Sequence, residues 1–362
     1  MTRKIFKRSS NNIHEELKPV AFARRKFRFS DWFAEQVIKF IAFMSIALVA
    51  LIFIFVFRES APVFRMDVVN KTSTETLIPE KYDDSPAQTS TDDKAAPEAV
   101  TSNQQVKSIK PSSTLISKEW MPVSDTPRYG LIPLFLGTLK VTIIAILFAA
   151  PIAILAAIYT SMFARPGLRE TIKPIIELLA GFPSVVIGFF ALMVLATLLQ
   201  EIFGYASRLN AFVGGIAMGL AALPVIYTLT EDALTAVPKT YVEASLGLGA
   251  SRRQTAFYVV LPAAVPGVFA AVILGLGRIF GETMIALMAT GNAALSSINP
   301  FESVRTLSAT IGAEMAEVVF GDTHYGVLFL IGSLLFIFTF TLNAISEFYF
   351  KNLVIKKYQA KK

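Results

Sequence analysis

One apolar stretch of the sequence carries both a cation and an anion. It reads GLGRIFGETMIALMATGN from Gly275 to Asn292, with Arg278 and Glu282 four residues apart. On an α-helix this spacing places both side chains on one face, within reach of each other. An arginine offers an oxyanion a planar and permanently charged fork. The pair is therefore a candidate anion station, and the alternative is a buried ion pair that only aligns helices.

The depth of Arg278 decides what must surround it. If the helix begins near Val265, Arg278 is thirteen residues along it, or about 20 Å at 1.5 Å per residue. That distance lies beyond the middle of a hydrocarbon core about 30 Å thick. A charge at that depth costs at least about 2.5–3.5 kcal/mol. We therefore expect the pair to face a protein interior or an aqueous pathway. Thr283 lies beside it and donates a hydrogen bond either to a substrate or to a backbone carbonyl.

The composition excludes several classes of protein. The 362 residues are 54% hydrophobic and 17% charged, whereas soluble domains carry about 25% charged residues. There is no cysteine, and the two histidines, His14 and His324, are far apart. The sequence has no P-loop, H-E-x-x-H or G-x-S-x-G motif, the patterns of ATP-binding and hydrolytic sites. We predict an all-α integral membrane protein without a metal, a cofactor or bond-making chemistry of its own.

Hydropathy divides the chain into a basic segment 1–36, a first transmembrane helix 37–58, a polar loop 59–130, a core 131–349 and a basic tail 350–362. The loop is rich in Ser, Thr, Pro, Asp and Lys, a composition that buries little apolar surface, so we predict a long and largely flexible connection. A short folded element within it stays open, although no periodic pattern demands one. The core holds five further helices, each long enough for a bilayer. They are predicted at 131–163, 174–200, 211–231, 264–290 and 325–349. Pro183 is predicted to kink the second of these five helices.

The distribution of charge predicts the orientation. With six spans both termini lie on one side, and the segments of that side carry twenty bases against ten in the other segments. Because bases accumulate on the cytoplasmic side, both termini are predicted to be cytoplasmic. The same distribution explains the basic character of the chain without a nucleic-acid partner.

The cytoplasmic connection 238–262 reads PKTYVEASLGLGASRRQTAFYVVLP. Pro238 suits the first turn of a helix, and Gly249 suits its end. Ser251 is a candidate N-cap for a second short helix, which is predicted to stop before Pro262. Two short helices joined by a glycine turn form a knob that fits a partner's groove. The alternative is a folded interhelical loop without a partner.

This connection resembles the EAA loop of ABC-importer permeases, with Ser245 and Val259 as mild departures. In that family the loop is a coupling helix that fits a cleft of the ATPase subunit. The resemblance therefore implies that ATP is hydrolysed by a separate subunit, which this loop contacts. The residues at the matching spacing are Glu243, Ala244, Gly249, Leu261 and Pro262.

Three further stretches narrow the resemblance to permease subunits of ABC-type phosphate importers, of the PstC type. They are IELLAGFPSVVIGFF from Ile176, GRIFGETMIALMATGN from Gly277 and RTLSATIGAEMAE from Arg305. The resemblance covers most of 131–349 and leaves 59–130 unexplained. It implies a type I importer permease fold in a bacterial inner membrane, and it implies that Arg278 and Glu282 act in phosphate passage.

The resemblance also implies the partners: a homologous permease subunit, two cytoplasmic ATPase subunits and an extracytoplasmic phosphate-binding protein. Three alternatives stay open. In the first alternative, a permease of the same architecture carries another oxyanion, such as sulfate or molybdate. In the second alternative, the chain is a membrane scaffold or sensor of phosphate status. This alternative predicts normal phosphate uptake after substitutions at Glu243 or Gly249. A passive channel would give flux without ATP.

Two weaker signals remain. Lys140 lies about nine residues into the second helix and is either a second cation on an anion path or, more in keeping with its position, a lysine that extends toward the interface. Apolar residues at helical spacing predict an amphipathic outer helix from Ser303 to Phe320. Such a helix lies at the membrane interface, packs over the pore or docks an extracytoplasmic partner.

Overall fold

A computed structural model describes residues 29–64, 114–124 and 126–359, and describes side chains for 32–64, 114–124 and 126–348. Within these residues six helices are long and apolar enough to cross a membrane, which confirms the predicted class and number of spans. The helices are α1 Phe29–Ser60, α2 Leu131–Ile158, α3 Pro166–Ala180, α4 Ser184–Phe203, α5 Ala211–Thr235, α6 Lys239–Gly247, α7 Arg252–Phe280, α8 Met284–Ala289, α9 Leu307–Glu314 and α10 Thr323–Gln359.

Short turns with other hydrogen-bond patterns extend or interrupt these helices. A 3₁₀ turn, Ala61–Phe64, follows α1. A π turn, Tyr159–Phe163, continues α2, and two further π turns lie inside α4 and α7 at Ala191–Leu195 and Ala256–Val260. The spans are thus α1, α2, α4, α5, α7 and α10.

The core of the fold is a close contact between α2 and α5. Alanines at every fourth residue of α2 are fully buried, and glycines of α5 face the same helix. A Cβ built on Gly219 would lie 2.9 Å from Phe148 Cδ1, so a larger residue has no room there. Small residues allow membrane helices to approach closely and gain van der Waals contact. The alanines of this seam are Ala145, Ala149, Ala153 and Ala157.

The predicted span 174–200 is wrong in one respect, because it consists of two helices. The amphipathic helix α3 ends at Ala180, and α4 begins at Ser184. Pro183 explains the break, since it lacks an N–H and pushes the preceding residue out of the α region. The break was predicted only as a kink. The membrane-spanning part is therefore Ser184–Phe203.

The predicted span 264–290 is also wrong at both ends. The helix begins at Arg252, so the short helix expected to stop before Pro262 instead continues into α7. Pro262 lies in the first turn after the π turn, where a missing N–H is tolerated. The far end is interrupted at residues 281–283, and α8 follows as a separate short helix. The interruption lies at the charged motif.

The end of the predicted flexible loop is folded. Trp120–Met121 and Arg128–Tyr129 form a two-stranded antiparallel sheet, in which Trp120 pairs with Tyr129. Both aromatic side chains are buried, in contact with each other and with His324 of α10. The prediction of a flexible loop is therefore wrong for this part. Its remainder at 65–113, most of the basic segment 1–36 and the end of the tail, 360–362, lie outside the described residues.

Lys140 reaches outward, as the interface interpretation predicts. Its Nζ donates to the carbonyls of Ser297 and Asn299, at 2.7 and 2.9 Å, in the loop before α9. The outer helix predicted from Ser303 to Phe320 is shorter, since α9 covers only Leu307–Glu314. Thr306 caps it by accepting a hydrogen bond from the Ala309 N–H at 3.1 Å.

Candidate functional site

Arg278 lies near the C-terminal end of α7, on its exposed face. Three residues before it, a Cβ built on Gly275 would lie 2.5 Å from Ile226 Cγ1 and 3.9 Å from Ile146 Cδ1. Ile146 is close to the middle of the span Leu131–Phe163, so this part of α7 is far from both membrane surfaces. The Arg278 side chain itself is exposed on the single chain.

Glu282 lies outside the helix that carries Arg278. It falls between α7 and α8, and its main-chain carbonyl accepts a hydrogen bond from Ser308 Oγ of α9 at 2.7 Å. Its carboxylate approaches the Ile285 N–H of α8 at 3.5 Å, a long distance for a hydrogen bond. Thr283 Oγ1 is 3.4 Å from the Gly281 carbonyl. The motif therefore forms a non-helical joint held by α9.

Since the helix stops at Phe280, the expectation that one helix face brings the two charges together is wrong. Among the ion pairs formed by described side chains, none joins Arg278 to Glu282. An arginine without a counter-ion is costly in hydrocarbon. Its exposed face must therefore meet water or a polar partner in the working membrane protein.

The connection 238–262 folds as two helices around one glycine in a left-handed conformation. Gly249 has a φ of +85°, a region open to glycine and unfavourable for other residues. The next helix begins with a reciprocal capping box: the Gln254 N–H donates to Ser251 Oγ, and the Ser251 N–H donates to Gln254 Oε1. The Ser251 cap and the glycine turn are thus confirmed. Ser245 and Thr255 join the two helices through their hydroxyls at 2.9 Å.

The helix α6 presents apolar side chains to the outside. Leu248 is 90% exposed and Tyr241 and Leu246 are each 41% exposed. The motif residues Glu243, Ala244 and Pro262 are also exposed, whereas Leu261 is half-buried. A projecting apolar tip of this kind is suited to insertion into a partner's groove.

A buried carboxylate joins α3 to the C-terminal end of α5. Glu231 is 1% exposed and forms ion pairs with Arg169 and with Lys173, the latter at 3.2 Å. The hydrogen bond and the charge of Glu231 raise the pKa of Lys173. Glu231 lies four residues before the end of α5, directly before the connection that carries Gly249. We call these three residues the inner node.

A second carboxylate, 13% exposed, organises the opposite face. Glu314, at the end of α9, accepts hydrogen bonds from Trp120 Nε1 at 3.0 Å and from Arg305 at 2.5 Å, and its other oxygen lies 2.9 Å from His324 Nε2. Burial raises the pKa of Glu314, but the hydrogen bonds from His324 and Trp120 and the charge of Arg305 outweigh it, so the net pKa is lowered. We call these four residues the outer node.

The outer node borders a cleft of about 680 Å³. Glu317 and Asp322 add two carboxylates to its lining, so acids outnumber bases there. Tyr129 lies at the base, and burial together with the charges of Asp322 and Glu314 raises its pKa to about 12. A cleft of this charge repels an anion and favours a cationic surface.

Sequence reasoning overlooked both nodes. Glu231 was visible as the acid in LPVIYTLTEDAL, within an apolar helix, and such a residue signals a partner or a site. Its partners are 58 and 62 residues away, and no spacing rule connects them. Trp120 and His324 were likewise visible, but their contact requires the tertiary fold.

The family comparison matches residues 149–354 to the binding-protein-dependent transport system inner membrane component. This range covers more than half of the chain, and the chain belongs to that family. It is similar to the probable ABC transporter permease protein YqgH of Bacillus subtilis, at 34% identity over 65% of this chain and 76% of that protein. It is also similar to the phosphate transport system permease protein PstC of Mesorhizobium japonicum, at 35% identity over 65% and 77%.

Among solved structures, the chain is similar to one chain of the inward-facing MetNI methionine ABC transporter. The TM-score is 0.48 at 21% identity, and the match covers 61% of this chain and 95% of that one.

Family membership defines the general role. The chain is a multi-pass inner-membrane permease component of a binding-protein-dependent ABC transporter. ATP hydrolysis belongs to a separate ATPase subunit, and a binding protein supplies the substrate.

Proposed function

We propose that this chain forms half of the pathway of an ATP-driven importer of inorganic phosphate. The observation that carries the proposal is Arg278: an exposed guanidinium at mid-membrane depth without an ion pair to Glu282. A permanent cation that faces a pathway attracts an oxyanion. The relative from Mesorhizobium japonicum is named as a phosphate permease, which supports phosphate as that oxyanion.

In this proposal Arg278 binds the anion transiently, and the joint that holds Glu282 and Thr283 completes the station. The carboxylate of Glu282 repels phosphate and keeps the binding weak. Weak binding is required because a transport site must release what it captures. The hydroxyl of Thr283 makes only a long contact of 3.4 Å with the Gly281 carbonyl, so it is available as a donor.

The pathway needs a second half, which we assign to a homologous permease subunit. The apolar face of α4 supports this assignment, since Val186, Phe189 and Met193 are each about half exposed on the single chain. The coupling loop 238–262 would then insert Leu248 into an ATPase on the cytoplasmic side. This arrangement requires both termini to be cytoplasmic, as the distribution of bases predicts.

ATP-dependent uptake of labelled phosphate tests the proposal. The complete transporter is reconstituted in proteoliposomes with its binding protein, and wild type is compared with Arg278→Gln. We expect uptake to fall at least tenfold, because a hydrogen bond to a charged partner is lost. Arg208→Gln serves as the control, since Arg208 lies outside the predicted spans and, among the described residues, donates only to Thr197, at 3.2 Å.

Competition separates the alternatives. Excess sulfate or molybdate leaves phosphate uptake unchanged if phosphate is the substrate, and abolishes it if another oxyanion is carried. Uptake without ATP would indicate a channel. Wild-type levels of uptake by Arg278→Gln in an assembled complex would remove Arg278 from the pathway.

A further inference from the structure

A polar side chain of the last span lies beside the anion station. Asn343 is on α10, and a Cβ built on Gly277 would lie 3.4 Å from its Oδ1. Gly277 is the residue directly before Arg278. The close approach of α7 and α10 is held nearby by Phe280 and Phe338, whose rings stack at 3.9 Å. Asn343 therefore lies at the same depth as Arg278, on the neighbouring helix.

Three hydroxyl side chains of α10 are satisfied within the helix. Ser333, Thr339 and Thr341 donate their hydroxyls to the carbonyls of Phe329, Leu335 and Ile337, at 2.9, 2.9 and 2.7 Å. The amide of Asn343 is different. It is exposed on the single chain and forms no hydrogen bond with any described residue.

An amide without a partner is costly in hydrocarbon, because no water replaces the lost hydrogen bonds. Because Asn343 lies beside Arg278, its amide can form hydrogen bonds in the same polar pathway that Arg278 requires. The exposed faces of the two residues belong to helices that contact each other, and the absence of a side chain at Gly277 leaves room there for the amide of Asn343. Both side chains then meet the same polar medium.

We propose that Asn343 is a second substrate-pathway residue, which binds the oxyanion together with Arg278. This inference rests on the proposed function. The chemistry favours a protonated tetrahedral oxyanion. The guanidinium only donates, so it serves the unprotonated oxygens, whereas an amide both donates and accepts. An acceptor beside the cation binds the P–OH of hydrogen phosphate and gains nothing from sulfate, which has no proton at neutral pH.

The test begins with phosphate uptake by Asn343→Leu in the reconstituted transporter. We expect the KM for phosphate to rise about tenfold or more, because hydrogen bonds to a charged ligand are lost. Thr341→Val is the matched control. It removes a hydroxyl two residues away that is already bonded to Ile337, so its KM stays at the wild-type value.

A second arm uses the absence of cysteine from the chain. Asn343→Cys is treated with an anionic, water-soluble thiol reagent, and labelling of this subunit is read by mass. We expect labelling that phosphate slows and sulfate does not. Ile345→Cys, at a residue 48% exposed on the same helix, should show no protection by phosphate.

The outcomes separate the two proposals. If wild type hydrolyses ATP but imports no phosphate, the proposed function fails and the inference fails with it. If wild type imports phosphate, an unchanged KM in Asn343→Leu overturns the inference alone. If Asn343→Leu does not assemble, the cysteine arm decides: absence of labelling, or labelling unaffected by phosphate, overturns it.

Discussion

The two faces of the permease each bury one carboxylate, but they bury its partners differently. At the inner node Glu231 is 1% exposed while Arg169 and Lys173 are 42% and 37% exposed. At the outer node Glu314, Arg305 and His324 are all between 12% and 19% exposed. The inner node is thus a buried acid held by cations that reach water. The outer node is a buried cluster in which every member depends on the others.

This difference in the exposure of the partners determines which substitution destabilises each node most. Removing a partner of a buried charge is costly when the remaining charge cannot reach water. At the inner node only the acid is trapped, so loss of the cations is the damaging change. At the outer node loss of the acid leaves Arg305 buried, with Asn292 as its remaining partner at 3.0 Å.

The largest effect is expected at the inner node. Arg169→Gln combined with Lys173→Gln leaves Glu231 buried without a cation, and should lower the free energy of unfolding by about 3–5 kcal/mol. Thermal unfolding of the detergent-solubilised complex measures this loss. Glu231→Gln should cost less, since both cations turn to water, and adding it to the double variant should restore stability. A Glu231→Gln variant as unstable as the double variant would contradict the comparison.

The outer node should show the opposite order. Glu314→Gln is expected to cost about 2–3 kcal/mol, because a charged hydrogen-bonding partner of Arg305 is removed. Glu317→Gln is the control, since Glu317 is exposed in the same cleft. Near-equal melting temperatures for these two variants would argue against a cooperative outer node.

The effect of Glu314→Gln should depend on pH. The pKa of Glu314 is lowered from 4.5 in the folded state, so its contribution is present above that value and is lost as the pH falls through the folded pKa. The gap in melting temperature between wild type and Glu314→Gln should therefore be full at neutral pH and close below pH 4.5. Lys173 has a raised pKa, so Lys173 itself stays protonated throughout this range.

The smallest effect is expected for alanine at Gly249. It distinguishes the cost of a backbone conformation from the cost of a side-chain contact. Gly247 and Gly249 both have open space where a Cβ would lie, but only Gly249 has a positive φ. Gly249→Ala should cost about 1–2 kcal/mol from the left-handed conformation, whereas Gly247→Ala, within α6, should be neutral or stabilising. Thermal unfolding compares the pair. Equal values would mean that the turn at Gly249 relaxes without cost.

Local signals predicted the spans, the Ser251 cap and the Gly249 turn, because each depends on a few adjacent residues. The break at Pro183 was predicted only as a kink, since a proline alone does not distinguish a bent helix from two helices. The joint at Glu282 depends on Ser308, which is 26 residues away. Periodicity favoured one helix through Arg278 and Glu282, and a tertiary contact overrode it. The predicted roles of these two residues remain predictions.

The breaks at 181–183 and 281–283 bear on how the permease moves. The first break precedes α4, and the second precedes α8. These two helices are in close contact at Gly188, where a Cβ would lie 3.0 Å from Met288 Sδ and 3.3 Å from the Ile285 Cα. The α2–α5 seam is as close, but it runs along two helices that are uninterrupted from Leu131 to Ile158 and from Ala211 to Thr235. The molecule therefore divides into a stiff frame and a hinged pair, in which neither α4 nor α8 swings without carrying the other.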